Sequence, residues 1–151
     1  MRITALNGLL ALLALILLAA CGRDDPEFIA KRDRDRILSY IEKNDLDAQE
    51  HESGLFYVIE RTGDGRHPTL DTPIRMSYIG SLRDGTIFDY NGNAVMHLRN
   101  TILGWQYGIP LFEGGGKGIL LIPSALGYGP YPQYGIPANS VLIFEIEIIE
   151  F

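Results

Sequence analysis

Residues Val141 to Phe151 read VLIFEIEIIEF. Leu142, Phe144, Ile146 and Ile148 recur at alternate positions and face one way in an extended chain, while Glu145, Glu147 and Glu150 break the pattern on the other side. A strand with one apolar face needs a sheet that buries that face. Working back through the chain, Lys117 to Ile122 (KGILLI) is a strand ended by Pro123. Pro73 to Leu82 (PIRMSYIGSL) alternates at Ile74, Met76 and Tyr78, Asp84-Gly85 is a two-residue hairpin signal, and Thr86 to Asp89 is the return strand. Leu55 to Arg61 (LFYVIER) is β-branched and aromatic, and Gly63-Asp64-Gly65 breaks it. Ala94 to Leu98 is a weaker strand, and Ser124 to Pro137 is a Tyr/Pro/Gly loop. One helical stretch interrupts the series: Gly104 to Leu111, with Trp105 and Ile109 at i, i+4 and a break at Pro110. Strands, one short helix, then strands is an α+β order, an antiparallel sheet whose apolar face is covered by the helix with Trp105 as its plug.

Composition narrows the chemistry. At 151 residues, 46% hydrophobic and 21% charged, the chain is one globular domain with a tail, and wholesale disorder is excluded. One cysteine rules out an internal disulfide, and a net charge of −6 argues against a nucleic-acid surface. His51, His67 and His97 lack metal-ligand spacing, so no metal and no cofactor is expected. Gly114-Gly115-Gly116-Lys117-Gly118 has no Ser or Thr after the lysine, so it reads as a tight turn rather than a phosphate loop. Ser124 has no nucleophile elbow around it. Asp84 and Asp89 form a conceivable acid/base pair, but the turn already accounts for Asp84. Nucleophilic and metal catalysis are therefore both disfavoured.

The N-terminal third is organised differently. Leu9 to Ala20 is an unbroken apolar run of twelve residues, too short for a spanning helix of about 20 residues. It ends in Leu18-Ala19-Ala20-Cys21, which resembles the bacterial lipobox and marks Cys21 for lipidation. A mature chain starting Cys21-Gly22 leans toward the outer membrane of a Gram-negative cell. Gly22-Arg23-Asp24-Asp25 also resembles the acidic export tag of Bacteroidota surface lipoproteins, although a solvated tether explains it as well. Gly22 to Gly54 holds 16 charged residues in 33, against 15 in 97 from Leu55 onward. The organisation expected is a leader (1–21), a charged tether and helix (22–52) and a folded domain (53–151). Asp25-Pro26 is a helix start, and the helix runs from Glu27 to Lys43. Its apolar positions are Phe28, Ile29, Ile37, Leu38, Tyr40 and Ile41, and Lys31 to Arg36 is almost all charge. Such a helix can dock on the domain, pair with a second copy or serve as a spacer, and spacer or weak docking is favoured.

Four segments then carry a resemblance. YIGSLRDGTIFD (Tyr78 to Asp89) is similar to Y-T-G-x-L-x-D-G-x-x-F-D, TILGWQYG (Thr101 to Gly108) to V-I-x-G-W-x-x-G, LIPSALGYG (Leu121 to Gly129) to I-P-x-x-x-x-Y-G, and GIPANSVLIFEIEII (Gly135 to Ile149) to I-P-x-N-S-x-L-x-F-x-V-E-L. These are signatures of the FKBP-type peptidyl-prolyl isomerases, and the similarity covers about Ser53 to Phe151. The resemblance implies a five- or six-stranded antiparallel sheet wrapped over a short helix, preceded here by the helical arm. It also implies an aromatic pocket formed by Tyr78, Phe88, Asp89, Ile102, Trp105, Tyr128, Ile136 and Phe144. In that reading a proline ring rests on Trp105, and Thr101-Ile102 offers main-chain hydrogen bonds. The Tyr128 hydroxyl donates another, and Asp89 orients polar groups at the rim through Tyr78. Partners would be proline-containing polypeptides and macrolide ligands, with the membrane reached by the lipid anchor.

The sequence departs from the family pattern between the first two motifs. Where P-F-x-F-x-L-G is usual, the chain has Ala94-Val95-Met96-His97-Leu98-Arg99, and Thr101 stands for the usual valine. One pocket wall should be thinner and more polar, with macrolide binding weakened, and Tyr131, Pro132 and Tyr134 are candidates to rebuild it. Two readings follow: an active isomerase of envelope or secreted proteins, or a peptide-binding scaffold lipoprotein with the same fold and little turnover.

Overall fold

The computed structural model describes residues 25–151. The leader 1–21, with Cys21, and residues 22–24 lie outside the described residues. The chain divides into two units between Arg32 and Asp33. Helix α1 (Pro26–Lys43) begins in the first, where the Asp25 carboxylate accepts the Glu27 N–H at 2.9 Å and proline occupies the first helical position. In the second unit the helix ends where Asp45 takes a left-handed φ of +52° and the Leu46 N–H donates to the Ile41 carbonyl at 3.1 Å.

The second unit is an antiparallel sheet of six strands: β1 (Gln49–Glu50), β2 (Phe56–Arg61), β3 (Pro73–Leu82), β4 (Ile87–His97), β5 (Lys117–Ile122) and β6 (Leu142–Glu150), in the order β1-β2-β5-β6-β3-β4. This is the α+β fold read from the sequence. Two expectations need revision in detail. The stretches at Thr86 and Ala94 belong to one strand, β4, whose register against β3 slips after Met76 and after Gly80. In the hairpin, Leu82 bonds both Gly85 and Thr86, and Gly85 takes φ +89°, so the turn carries a left-handed glycine rather than a plain two-residue loop. The strand β1, two exposed residues long, has no signal in the sequence.

The six-residue helix α2 (Leu103–Gly108) and the 3₁₀ turn Ile109–Leu111 lie over one face of the sheet. Alternation puts Ile74 and Met76 of β3, Leu120 and Ile122 of β5, and Leu142, Phe144, Ile146 and Ile148 of β6 into one core with Leu98, Trp105, Ile109 and Phe112. Leu121 and Ile143, one residue out of phase and paired with each other across β5 and β6, face the other way. There they meet Phe56, Val141 and Ile37 of α1, and Ile37 is completely buried.

The helix therefore docks on the sheet from Asp33 onward instead of acting as a spacer. The charged block Lys31 to Arg36 hides a buried aspartate, Asp33, only 1% exposed. The glycine run is a turn, as read: Gly115 takes φ +78°, and the Glu113 carboxylate accepts the N–H groups of Gly63 and Gly65 at 2.8 and 3.1 Å. Replacing a buried isoleucine by alanine costs about 2–5 kcal/mol. Ile37→Ala should destabilise the protein by that amount in urea unfolding, whereas a spacer helix would make the change silent.

Candidate functional site

Strands β3, β4 and β6, the loop before α2 and the loop after β5 converge on one cavity of about 680 Å³. Its lining includes Tyr78, Asp89, Thr101, Ile102, Trp105, Tyr128 and Phe144. Seven of the nine residues read from the sequence are thus brought to one place. The other two support it from behind. Phe88 packs edge-on against Phe144 with ring centroids 5.6 Å apart, and Ile136 is buried in the inner core.

The floor is Trp105, 6% exposed. Its ring stands nearly perpendicular to Tyr78 and to Phe144, at 4.9 and 5.0 Å between centroids. Such edge-to-face pairs add about 0.5–1.5 kcal/mol beyond the area they bury. The indole Nε1 is buried with no hydrogen-bond partner among the described residues. Gly80 makes this packing possible: a Cβ there would lie 2.7 Å from both Phe144 and Phe88.

Polar groups occupy the rim. Register places Tyr78 opposite Asn91 and Asp89 opposite Gly80, so Tyr78 and Asp89 are diagonal neighbours. The Tyr78 hydroxyl donates to Asp89 Oδ2 at 2.8 Å. Burial, then the hydrogen bond and negative charge of Asp89, push the Tyr78 phenol up to about 12. Tyr128 is also raised, by burial first and the Asp89 charge second. Both phenols therefore remain proton donors at neutral pH. At the opposite rim the Thr101 hydroxyl donates to the Leu98 carbonyl at 2.6 Å, and the Thr101 carbonyl accepts Gln106 Nε2 at 2.8 Å. The neighbouring Ile102 N–H bonds no described group.

Tyr128 is held by its loop. The Ser124 carbonyl accepts the N–H groups of both Gly127 and Gly129, at 3.0 and 2.8 Å, and Gly129 takes φ +57°. The loop then closes on itself through Asn139 N–H to Gly129 carbonyl at 2.7 Å and a bridge between Gln133 and Ile136. That closure turns Ile136 into the core and sends Tyr131 (72% exposed) and Tyr134 (fully exposed) to solvent. These tyrosines do not rebuild the altered wall. Met96, His97 and Asn100 line it instead. In the sequence His97 lacks metal-ligand spacing and carries no other motif. The signal for all three was their place in the divergent segment Ala94 to Thr101. Among the described residues no cluster of His, Cys, Asp and Glu is arranged to hold a metal ion.

Comparison with known proteins places this geometry in context. The model of the family described as FKBP-type peptidyl-prolyl cis-trans isomerase matches residues 64–149. The chain is 44% identical over 103 residues to the FKBP-type peptidyl-prolyl cis-trans isomerase FkpA of Buchnera aphidicola subsp. Schizaphis graminum, covering 65% of this chain and 41% of that protein. It spans about two-fifths of the length of the curated relatives it matches. Among solved structures, the peptidyl-prolyl cis-trans isomerase of Pseudomonas syringae superposes with a TM-score of 0.72 at 30% identity, covering 85% of this chain and 98% of that one. FkpA of Escherichia coli gives 0.71 at 29% identity, covering 95% of this chain and 70% of that one.

The rim chemistry predicts an alkaline titration. Tyr78 has a folded-state pKa above its ordinary value near 10, so its contribution to stability is complete below about pH 10 and is lost as pH rises toward about 12. Asp89→Asn removes the charge and the carboxylate acceptor but leaves the burial. The midpoint assigned to Tyr78 (by its loss in Tyr78→Phe) should drop part of the way to the ordinary value. An unchanged midpoint in tyrosinate absorbance would contradict the assigned causes.

Proposed function

This chain belongs to the FKBP-type peptidyl-prolyl cis-trans isomerases, and from that membership we propose that it accelerates cis-trans rotation of Xaa-Pro bonds in proteins of the bacterial envelope. The observation that carries the reading is the Tyr78–Asp89 hydrogen bond beside Trp105, in a cavity whose aromatic side is completed by Tyr128 and Phe144. Rotation about an Xaa-Pro bond breaks amide resonance against a barrier of about 18–20 kcal/mol, and no bond to a nucleophile is made. A site that favours the twisted amide over the planar one suffices, at about tenfold in rate for each 1.4 kcal/mol of differential stabilisation.

The roles follow from position. Trp105, with Phe144 and Phe88 behind it, receives the proline ring. The Ile102 N–H and the Tyr128 hydroxyl donate to peptide carbonyls, and Thr101 fixes the loop that presents Ile102. Asp89 holds Tyr78, and Ile136 backs the pocket. The aromatic floor weakens solvation of the planar amide dipole, and the Tyr128 phenol serves as a fixed donor while the Tyr78 proton is committed to Asp89. Macrolide ligands should enter the same cavity weakly, because Met96, His97 and Asn100 line one wall. That wall also favours a second reading, a peptide-binding module with low turnover.

The first test is a protease-free isomerisation assay on an Xaa-Leu-Pro-Phe peptide, with soluble protein starting at Gly22. Acceleration that falls about tenfold or more in Tyr128→Phe and Asp89→Ala is the expected result. A folded wild-type protein that binds the peptide without accelerating it selects the second reading.

We also propose that Cys21 carries the lipid anchor and that the protein faces the periplasm or the cell surface from the outer membrane. Support comes from Leu18-Ala19-Ala20-Cys21. Among the described residues no helix is long and apolar enough to cross a membrane. Several acyl chains on one residue anchor stably where a single chain is marginal. Full-length protein expressed in a Gram-negative host should incorporate labelled palmitate and fractionate with membranes. Cys21→Ser should lose both, and labelling that survives the substitution would refute the assignment.

A further inference from the structure

Asp33 of α1 and Ser124 of the loop after β5 are each 1% exposed. Asp33 Oδ2 accepts two hydrogen bonds, from the Ser124 N–H at 2.9 Å and from the Ser124 hydroxyl at 2.5 Å. One turn further along the helix, Arg36 Nη1 lies 3.7 Å from Asp33 Oδ1 and 3.5 Å from the Asn139 carbonyl. Ser124 and Asn139 are the two ends of the segment that carries Tyr128. The Ser124 carbonyl bonds Gly127 and Gly129, and the Asn139 N–H bonds Gly129. The glycines on either side of Tyr128 are thus tied to the two residues that α1 grips.

A buried carboxylate is retained only where its partners replace the water it has lost, and removing one partner leaves the other stranded. The neighbouring Ile37 enters the apolar cluster with Phe56, Leu121, Val141 and Ile143, whereas Asp33 places a hydrogen-bonded carboxylate at a buried position. We propose that Asp33 is a positioning residue for the isomerase site: through Ser124 it fixes the loop so that the Tyr128 hydroxyl stands over the cavity. The part of α1 from Asp33 onward then helps to position the site rather than serving only as a tether. This inference rests on the isomerase reading, because Tyr128 matters to it as a donor to the peptide.

The experiment is a double-mutant cycle with a structural readout. The kcat/KM of wild type, Asp33→Ala, Tyr128→Phe and the double variant is measured in the isomerisation assay, with Asp33→Asn alongside as the variant that keeps an acceptor oxygen and the fold. Amide hydrogen exchange of residues 124–139 is followed in each.

Asp33→Ala should lose about tenfold in kcat/KM and exchange faster in 124–139, with the central strands unchanged. In the Tyr128→Phe background the same substitution should change kcat/KM by less than about twofold. Should Asp33→Ala fail to fold, Ser124→Ala, which removes the hydroxyl donor to Asp33, takes its place in the cycle. An equal loss in both backgrounds would overturn the proposal, as would faster exchange with undiminished activity. A folded wild-type protein without activity would instead refute the isomerase reading, and the latch would then stand or fall on exchange in 124–139 alone.

Discussion

The indole of Trp105, standing edge-on to Tyr78 and Phe144, is the contact that the site is built around. A six-stranded sheet has to cover its inner face with a helix of only six residues. So short a helix can do so only by carrying a very large side chain and by sitting very close. Both conditions are met in the sequence. Gly104 precedes Trp105, and Gly108 follows one turn later. A Cβ at Gly104 would lie 2.4 Å from Ile122, and one at Gly108 would lie 2.7 Å from Leu120. The helix therefore rests directly on β5, and its tryptophan is pressed toward β3 and β6. That fixed indole sets the depth of the cavity, and Gly80 lets Phe144 and Phe88 close around it.

Around that floor, polar side chains stand at the rim: Tyr78, Asp89, Thr101 and Tyr128, with His97 and Asn100 on the divergent wall. Asp89 accepts the Tyr78 hydroxyl, so the one carboxylate of the cavity is engaged in orienting a phenol. The two tyrosines are raised by their surroundings and stay neutral over the physiological range. A site for bond-making chemistry would need a nucleophile poised beside a base, with pKa values near the working pH. Here the perturbations run the other way and hold the groups as permanent donors. That suits a reaction whose only event is rotation, where the environment of the amide decides the rate.

Much of this was legible in the sequence because it is local. The alternation in Ile74-Met76-Tyr78 and in Leu142 to Ile148, the Asp84-Gly85 turn and the Trp105/Ile109 spacing each depend on a few adjacent residues. The family motifs located the same cavity. What escaped depends on distant partners. Asp33 sits in a run of six consecutive charges, Lys31 to Arg36, and nothing local separates it from them. Its burial is decided by Ser124, 91 residues away. The middle of β4, Tyr90 to Asn93, looks like a loop because it belongs to an edge strand with little to bury. Tyr131 and Tyr134 looked like pocket residues by type, but the hydrogen bond from Asn139 to Gly129 turned their segment outward. The wall residues His97 and Asn100 have no motif because they occupy the segment where the chain leaves its family pattern.

The last strand records how far the helix reaches. Val141 to Phe144 (VLIF) is buried at every position, whereas from Glu145 onward outward-facing residues are exposed or half-buried. A strand covered on both faces reads as a continuous apolar run, and one covered on a single face reads as alternation. The change from VLIF to EIEIIE therefore marks the edge of the α1 footprint on the outer face. Ile143, the outward residue of the first part, packs with Ile37, Phe56 and Leu121. Glu147, an outward residue of the second, reaches instead to Arg61 at 2.7 Å in solvent. The same strand also carries Phe144 into the site on its inner face. The helix on one side and the aromatic cavity on the other are thus joined through the backbone of β6 as well as through Ser124. Two sets of contacts lead from α1 to elements that line the site, both from residues close together in the sequence: Asp33 and Arg36 to the loop, and Ile37 to the strand.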